Sequence, residues 1–338
     1  MRASCFYDLI GAYSSLSIIG MCKNAGKTTV LNHIIHSMAK KEQLLALTSI
    51  GRDGEETDIV SGAAKPGVYI YAGSLIATAA GLLTSCDITK EILLTTGINT
   101  PLGEVVIVRA LSDGYVQLAG PSMISQLEQL SKLFLSFGEY KIIIDGAVGR
   151  KTLCSRSLSE ATILCTGASC GNSLDAVVAD TAHTYNMLSL RAVEDDILRQ
   201  KIRALSSNKI MLCGKKYIPL PPQISIEEGL RQNPRNCTTH IFIDGALSDT
   251  LMGSLLFSAA ELAGKHLIVR DASKILISAA NYHKLRLKHS DIRVLDEINI
   301  VAVAANPFSV YGGHFDKDHF RAALKKQIEA PVINVEDM

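Results

Sequence analysis

Glycine, lysine and threonine stand together in the segment Gly20–Thr29, which reads Gly-Met-Cys-Lys-Asn-Ala-Gly-Lys-Thr-Thr. This is the phosphate-loop pattern G-x-x-x-x-G-K-[ST], with Met21 at its first position and Gly20 one residue earlier. Backbone N–H groups of such a loop bind phosphate oxygens. Lys27 is expected to reach the β- and γ-phosphates, and the Thr28 hydroxyl to ligate Mg²⁺. The predicted nucleotide-binding residues in this loop are Lys23, Asn24, Ala25, Gly26, Lys27, Thr28 and Thr29.

Two carboxylates follow apolar runs and are candidates for Mg²⁺ ligation and catalysis together with Lys27. Asp145 comes after Lys141-Ile142-Ile143-Ile144, where a carboxylate can hold a Mg²⁺-bound water. Asp53 follows a second apolar run and falls where a loop would sense the γ-phosphate. The alternative for both is a polar turn, because each precedes a glycine.

The base is less clearly encoded than the phosphates. The Asn-Lys-x-Asp motif that reads guanine is absent, which favours ATP while GTP stays possible. Asn306 follows the apolar run Val301–Ala305 and could hydrogen-bond an adenine edge, or it could form a turn before Pro307. Lys23 stands one residue away from the position of an extra lysine that, in one class of phosphate-loop proteins, reaches across a dimer.

These side chains need a strand, a helix and a second strand to position them. Leu16–Ile19 is a short buried run, residues 27 to 40 have apolar side chains at helical spacing, and Leu44–Ile50 is a second apolar run. We predict an α/β fold of the P-loop NTPase type, with a mainly parallel sheet flanked by helices. Val105–Arg109 and Gly114–Leu118 are predicted to form a hairpin at a sheet edge.

The length of 338 residues and a break at Pro219-Leu220-Pro221-Pro222 predict two domains. We place a nucleotide-binding domain at 1–200 and a second α/β domain at 201–338, which would bind a partner or be a pseudo-repeat. The repeat is suggested only by Asp-Gly-Ala, which follows an apolar run at 145–147 and again at 244–246.

Composition excludes several classes of function. The net charge is +1 and no basic run is present, so nucleic acid is not an expected partner. Mean hydropathy is +0.21, yet no run approaches the about 20 apolar residues of a membrane span. We expect a cytoplasmic protein without a secretion signal. The eight cysteines include no Cys-x-x-Cys pair and are expected to be mostly buried thiols.

An ordered set of segments carries a resemblance to a known family. They are Gly20–Thr29, Ser49–Glu56, Lys65-Pro66, Thr96–Glu104, Ser112–Pro121 and Ile144–Arg150. Together they resemble the nucleotide-binding subunits of the reactivating factor for the adenosylcobalamin-dependent lysine 5,6-aminomutase. The match covers mainly the first 150 residues, and the fold implied is similar to that of dethiobiotin synthetase and the cofactor-chaperone GTPases.

The resemblance implies an ATP-dependent chaperone that releases damaged cobalamin from an aminomutase of lysine degradation. Its partners would be a second reactivase subunit and the aminomutase, and we expect an oligomer. Loop 51–56 would change with the state of the γ-phosphate. One alternative is an ATP-dependent ligase or kinase of the dethiobiotin synthetase type, in which Lys65-Pro66 would help to bind a small substrate. Another is a regulator that binds nucleotide without hydrolysing it.

Overall fold

The computed structural model describes residues 8–51, 67–146, 157–205, 209–213, 216–221, 223–232, 238–257 and 262–338. The chain forms two compact units, the first made of Met1–Tyr185 and Asn299–Met338, the second of Asn186–Ile298. Loop residues Arg52 and Asp53, the pair Lys65-Pro66 and the stretch 147–150 lie outside the described residues. The roles predicted for these residues therefore stay predictions.

The strands of the first unit are β1 Ser15–Gly20, β2 Leu45–Ser49, β3 Val68–Ile70, β4 Leu75–Ala79, β5 Lys90–Thr100, β6 Gly103–Ala110, β7 Gly114–Val116, β8 Lys141–Asp145, β9 Ala161–Gly167, β17 Ile300–Asn306 and β18 Val332–Asn334. Its helices are α1 Lys27–Ala39, α2 Ile124–Leu135, α3 Leu174–Leu188 and α8 Lys317–Lys325. Short 3₁₀ helices occupy Ala80–Ser85, Ala168–Cys170 and Val335–Asp337.

A nine-stranded sheet forms the centre of this unit, in the order β18-β17-β9-β1-β8-β2-β4-β6-β5. The seven strands from β18 to β4 run parallel, and β6 and β5 extend the β4 edge in antiparallel fashion. Strands β1, β2, β8 and β9 are buried almost throughout, as a sheet covered on both faces requires. The predicted α/β class, a mainly parallel sheet flanked by helices, is confirmed.

Helix α1 connects β1 to β2 and packs through the apolar face that its spacing predicts. Val30, Leu31, Ile34, Ile35 and Met38 are all buried. They join side chains of β1, β2, β8 and β9 in one hydrophobic cluster. The helix begins after Gly26, whose backbone is left-handed with φ 92°, and its last turn closes where Lys40 N–H donates to the His36 carbonyl.

The antiparallel edge differs from the predicted hairpin. Strand β6 does not pair with β7; it pairs with β5, and residues 101 and 102 form the connection. Strand β7 pairs with β3 in a separate two-stranded sheet. The turn between β5 and β6 has Pro101 at its second position and Gly103, at φ 106°, after it. The predicted pairing of 105–109 with 114–118 was therefore wrong, although the antiparallel extension of the sheet edge is present.

The second unit contains β10 Lys209–Cys213, β11 Lys216–Pro219, β12 Thr238–Ile243, β13 Leu247–Ser248, β14 His266–Asp271, β15 Ile275–Leu276 and β16 Asp291–Asp296. Its helices are α4 Asp196–Ala204, α5 Ile226–Gln232, α6 Asp249–Phe257 and α7 Ala279–Leu287, with a 3₁₀ turn at Ala272–Lys274. Five strands form a sheet in the order β11-β10-β12-β14-β16, with β12, β14 and β16 parallel. Ile210, Phe242, Ile268 and Leu295 form the centre of its core.

This division of the chain differs from the predicted boundary at residue 200. The α/β unit after β9 is an insertion that ends at Ile298, and residues from Asn299 onwards return to the first sheet. The physical reason is strand pairing: β17 lies beside β9 with parallel hydrogen bonding from Ile300 to Asn306. Among the residues that the structure describes, no helix has the length and apolar composition to cross a bilayer.

Candidate functional site

The carboxyl ends of β1 and β9 form a topological switch point of the sheet. After β1 the chain turns towards β8 and β2, and after β9 it continues towards β17 on the opposite side. The connections that follow β1 and β9 therefore lead to opposite sides of the sheet, and the region between their two loops is the switch-point crevice. In open α/β sheets this is where ligands bind. The predicted phosphate loop is the loop that follows β1.

The loop from Gly20 to Lys27 has a defined backbone. Met21 N–H extends the sheet by donating to the Cys165 carbonyl over 2.9 Å. Asn24 and Gly26 both have positive φ, at 60° and 92°, which turns the chain into α1. Ala25 is buried, whereas Lys23 and Thr29 are exposed and Thr28 is partly buried. The predicted strand, loop and helix are thus present around the predicted binding residues.

Lys27 and Asp145 lie near enough to Cys165 for their charges to act on its thiol. The Lys27 side chain folds back over Gly20, because a Cβ added to Gly20 would lie 3.1 Å from the Lys27 Nζ. Burial raises the pKa of the Cys165 thiol to about 12, the positive charge of Lys27 opposes that rise, and the negative charge of Asp145 adds to it. The ammonium of Lys27 and the carboxylate of Asp145 therefore both act on the buried Cys165 thiol.

Asp145 is the last residue of β8 and is 8% exposed. It pairs in register with Ile18 of β1 and with Ser49 of β2, so it lies at the carboxyl ends of three neighbouring strands. Its carbonyl accepts from Ile50 N–H over 3.0 Å, which fixes the start of the loop after β2. Asp53, its predicted companion, falls outside the described residues. Of the predicted catalytic residues, the structure brings Lys27 and Asp145 to the surroundings of Cys165, and Thr28 follows Lys27 in the first turn of α1.

Asn306 ends β17 and contacts the predicted phosphate loop directly. Its Nδ2 donates to the Asn24 carbonyl over 3.1 Å, and its Oδ1 accepts from Phe308 N–H over 3.2 Å. A Cβ at Gly26 would lie 3.2 Å from the Asn306 Cβ. Both functional groups of the Asn306 amide are used within the chain. The contacts make Asn306 a support of the loop, and its reading of adenine stays a prediction.

Residues that sequence reasoning missed form the opposite wall of the crevice. The turn Ala168–Cys170 follows β9, and Cys170 is joined to Cys22 by a disulfide with a Cα–Cα distance of 5.3 Å. The expectation of mostly buried thiols was thus wrong for these two cysteines, while Cys86 and Cys165 are free and buried. The available signal was positional, because a loop after a strand parallel to β1 must end at the same sheet edge.

A second missed feature supports the loop after β2. Gly120 N–H donates to the Ser49 Oγ over 3.2 Å, and Gly51 N–H donates to the Pro121 carbonyl over 3.1 Å. A Cβ at Gly120 would lie 2.0 Å from the Ser49 carbonyl oxygen, so only glycine allows this close approach. The segment around Gly120 and Pro121 therefore holds the first residues of the predicted γ-phosphate loop.

Two polar atoms in this region are buried without a hydrogen-bond partner: the Asn24 Nδ2 and the Ser169 Oγ. Such atoms are costly unless a ligand or water satisfies them. One lies on each wall of the crevice. Within the described ranges, no group of three His, Cys, Asp or Glu side chains could hold a metal ion by itself.

Comparisons with protein-family profiles, with curated proteins and with solved structures gave no match for this chain.

Proposed function

We propose that the chain has a P-loop fold and is a nucleoside triphosphatase that binds Mg²⁺-ATP, or Mg²⁺-GTP, at the loop Gly20–Lys27. One observation carries the proposal: a strand ends at Gly20, a loop with two left-handed residues follows, and α1 begins at Lys27, all at the switch point of a parallel sheet. The motif and its structural context agree, which the pattern alone does not guarantee.

The phosphates would be held by loop amides, by the α1 N-terminus and by Lys27. The left-handed conformations of Asn24 and Gly26 are those that turn successive N–H groups towards a common point. Lys27 lies on the inner side of the loop, against Gly20, from where its ammonium could contact phosphate oxygens. The partnerless Asn24 Nδ2 is a further donor on this loop.

Mg²⁺ would be held by Thr28 and Asp145 together with phosphate oxygens. Magnesium at nucleotide sites uses one or two protein ligands, keeps several waters and takes the rest from phosphate. Bound there, Mg²⁺ would neutralise charge on the phosphates. Asp53 remains the predicted second carboxylate.

The cellular role that we propose is the reactivation of an adenosylcobalamin-dependent aminomutase. This role rests on the resemblance of the first 150 residues, not on the geometry. The structure bears on this role in one respect. The hydrogen bonds of Gly120 to Ser49 and of Gly51 to Pro121 hold the start of the loop after β2, and that loop is the segment expected to respond to the γ-phosphate.

The first experiment measures ATP and GTP binding and hydrolysis by the purified chain and by three variants. Lys27→Ala should reduce affinity and abolish turnover, and Asp145→Asn should raise the Mg²⁺ concentration needed for half-maximal activity. Lys132→Ala, at an exposed position of α2, is the matched control and should behave like the parent. Turnover that survives Lys27→Ala would show that the loop is not the phosphate site.

The second experiment adds an adenosylcobalamin-dependent aminomutase that hydroxocobalamin has inactivated, together with the second reactivase subunit. Recovery of mutase activity that requires nucleotide, with faster hydrolysis in the presence of the mutase, would support the chaperone role. Hydrolysis that ignores the mutase would favour a ligase or kinase that acts on a small molecule.

A further inference from the structure

Cys22 and Cys170 lie on opposite sides of the switch-point crevice. Cys22 is the second residue of the loop after β1, and Cys170 ends the turn after β9. They are 148 residues apart in sequence, yet their Cα atoms are 5.3 Å apart, a separation that a disulfide spans without backbone movement. The bond therefore ties together the loops that follow two neighbouring strands.

Accessibility separates this pair from the other described thiols. Cys22 and Cys170 are both partly exposed, whereas Cys86 and Cys165 are buried. Exchange reactions require that a thiolate or a small disulfide reach the sulfur. A small redox reagent can therefore reach the crevice pair, while burial makes the other two inert.

The position of the bond determines its effect. A ligand at a switch point enters between the diverging loops of the two adjacent strands. The disulfide joins these two loops directly and holds the turn Ala168–Cys170 against the phosphate loop. In this arrangement the neighbouring Ser169 Oγ is buried without a partner, which is a cost that opening of the turn would remove. In the bonded state the two loops are therefore held together.

We propose that Cys22 and Cys170 form a reversible disulfide that controls access of nucleotide to the phosphate loop, closed when oxidised and open when reduced. This inference rests on the proposed nucleotide site. It adds regulation by thiol–disulfide exchange, with a low-molecular-weight disulfide as the oxidant and a dithiol as the reductant.

The exchange balances in two steps. One thiolate of the pair attacks a sulfur of the external disulfide RSSR, which forms a mixed disulfide and releases RS⁻. The second cysteine, as thiolate, attacks the protein sulfur of the mixed disulfide; the Cys22–Cys170 bond forms and the second RS⁻ leaves. The two thiol protons end on the two released thiolates. The protein loses two electrons, and RSSR gains them to become 2 RSH.

The experiment compares nucleotide affinity in the two redox states by calorimetry, with ATP and GTP as the probes. The full chain is oxidised with glutathione disulfide or reduced with dithiothreitol, and thiol counting verifies each state. We expect at least tenfold tighter binding by the reduced protein. Cys170→Ser should bind like the reduced parent under both conditions. Cys86→Ser is the matched control, since it removes a described cysteine outside the pair and should keep the full redox response.

The outcomes distinguish this inference from the proposed function. Equal affinity of the verified oxidised and reduced proteins would overturn the redox control while leaving the nucleotide site intact. Tighter binding by the oxidised protein would also overturn the redox control as proposed, because the disulfide would then favour nucleotide binding and not prevent it. Failure of both the reduced parent and Cys170→Ser to bind either nucleotide would refute the nucleotide site itself.

Discussion

The substitution Gly26→Ala tests how the loop is held in place. Gly26 has φ 92°, a region where an L-residue such as alanine is strained by about 1–2 kcal/mol. The added methyl group would also lie 3.2 Å from the Asn306 Cβ and 3.3 Å from the Val335 Cγ2, both tighter than ordinary contacts. Relief of this crowding should add a further cost of about 1–2 kcal/mol to the backbone strain. We expect a total loss of about 2–4 kcal/mol in the free energy of unfolding.

Gly97→Ala is the matched control for this prediction. Gly97 also has a positive φ, 73°, but a methyl group there would meet nothing within 4 Å. It should therefore show only the backbone strain, about 1–2 kcal/mol. Since about 1 kcal/mol lowers the melting temperature by roughly 2–4 °C in a unit of this size, thermal unfolding can separate the two variants.

Nucleotide affinity gives the second readout. A methyl group at Gly26 would push the loop away from Asn306, so the amides that we propose to bind phosphate would lose their alignment. We expect affinity to fall at least tenfold, or about 1.4 kcal/mol, for Gly26→Ala and to stay unchanged for Gly97→Ala. A fluorescent nucleotide is the practical probe, because the chain has no tryptophan. Equal stability of the two variants, with unchanged affinity in both, would refute the reasoning.

Three further predictions concern other groups. Asn306→Ala should weaken ATP and GTP binding by the same factor if Asn306 supports the loop, and a changed ATP-to-GTP ratio would instead indicate base reading. Lys141→Met should lower the unfolding free energy by about 2–4 kcal/mol in chemical denaturation, because the buried ammonium donates to the backbone carbonyls of residues 10, 11 and 13. The control Lys132→Met, at an exposed position, should change the unfolding free energy little. Burial, and then a neighbouring imidazole, lower the pKa of His240, so folding favours its neutral form. The stability that depends on neutral His240 is present above about pH 6.5 and is lost as pH falls through the folded-state pKa. Between about pH 7 and 5, the His240→Gln variant should therefore lose less unfolding free energy than the parent. Identical losses would contradict this.

The local part of the site was predictable from the sequence because its signals are local. The apolar spacing from Val30 to Met38 predicted the buried face of α1. Gly26-Lys27-Thr28 predicted the loop that precedes it, and the run before Asp145 predicted a buried strand with the carboxylate at its end.

The non-local part could not be predicted because nothing near a residue encodes its distant neighbours. The contact of Asn306 with Asn24 and the bond between Cys22 and Cys170 both depend on strand order, which places β9 next to β1 and β17 next to β9. The predicted hairpin of 105–109 with 114–118 was wrong for a different reason. Ser112-Asp113-Gly114 is a genuine turn sequence, but Thr100-Pro101-Leu102-Gly103 is one as well, and pairing decided between them.

The insertion of the second unit between β9 and β17 has a consequence for the order of folding. During synthesis, β1 to β9 leave the ribosome first, and the whole of the second unit follows before β17 can pair with β9. Closing that contact is entropically costly and slow compared with local steps, since the intervening chain is long. Asn306 and Val335, which press against Gly26, therefore arrive last. A nascent chain therefore has the loop Gly20–Lys27 before Asn306 and Val335 can contact it. The nucleotide binding that we propose should then appear only when folding is complete.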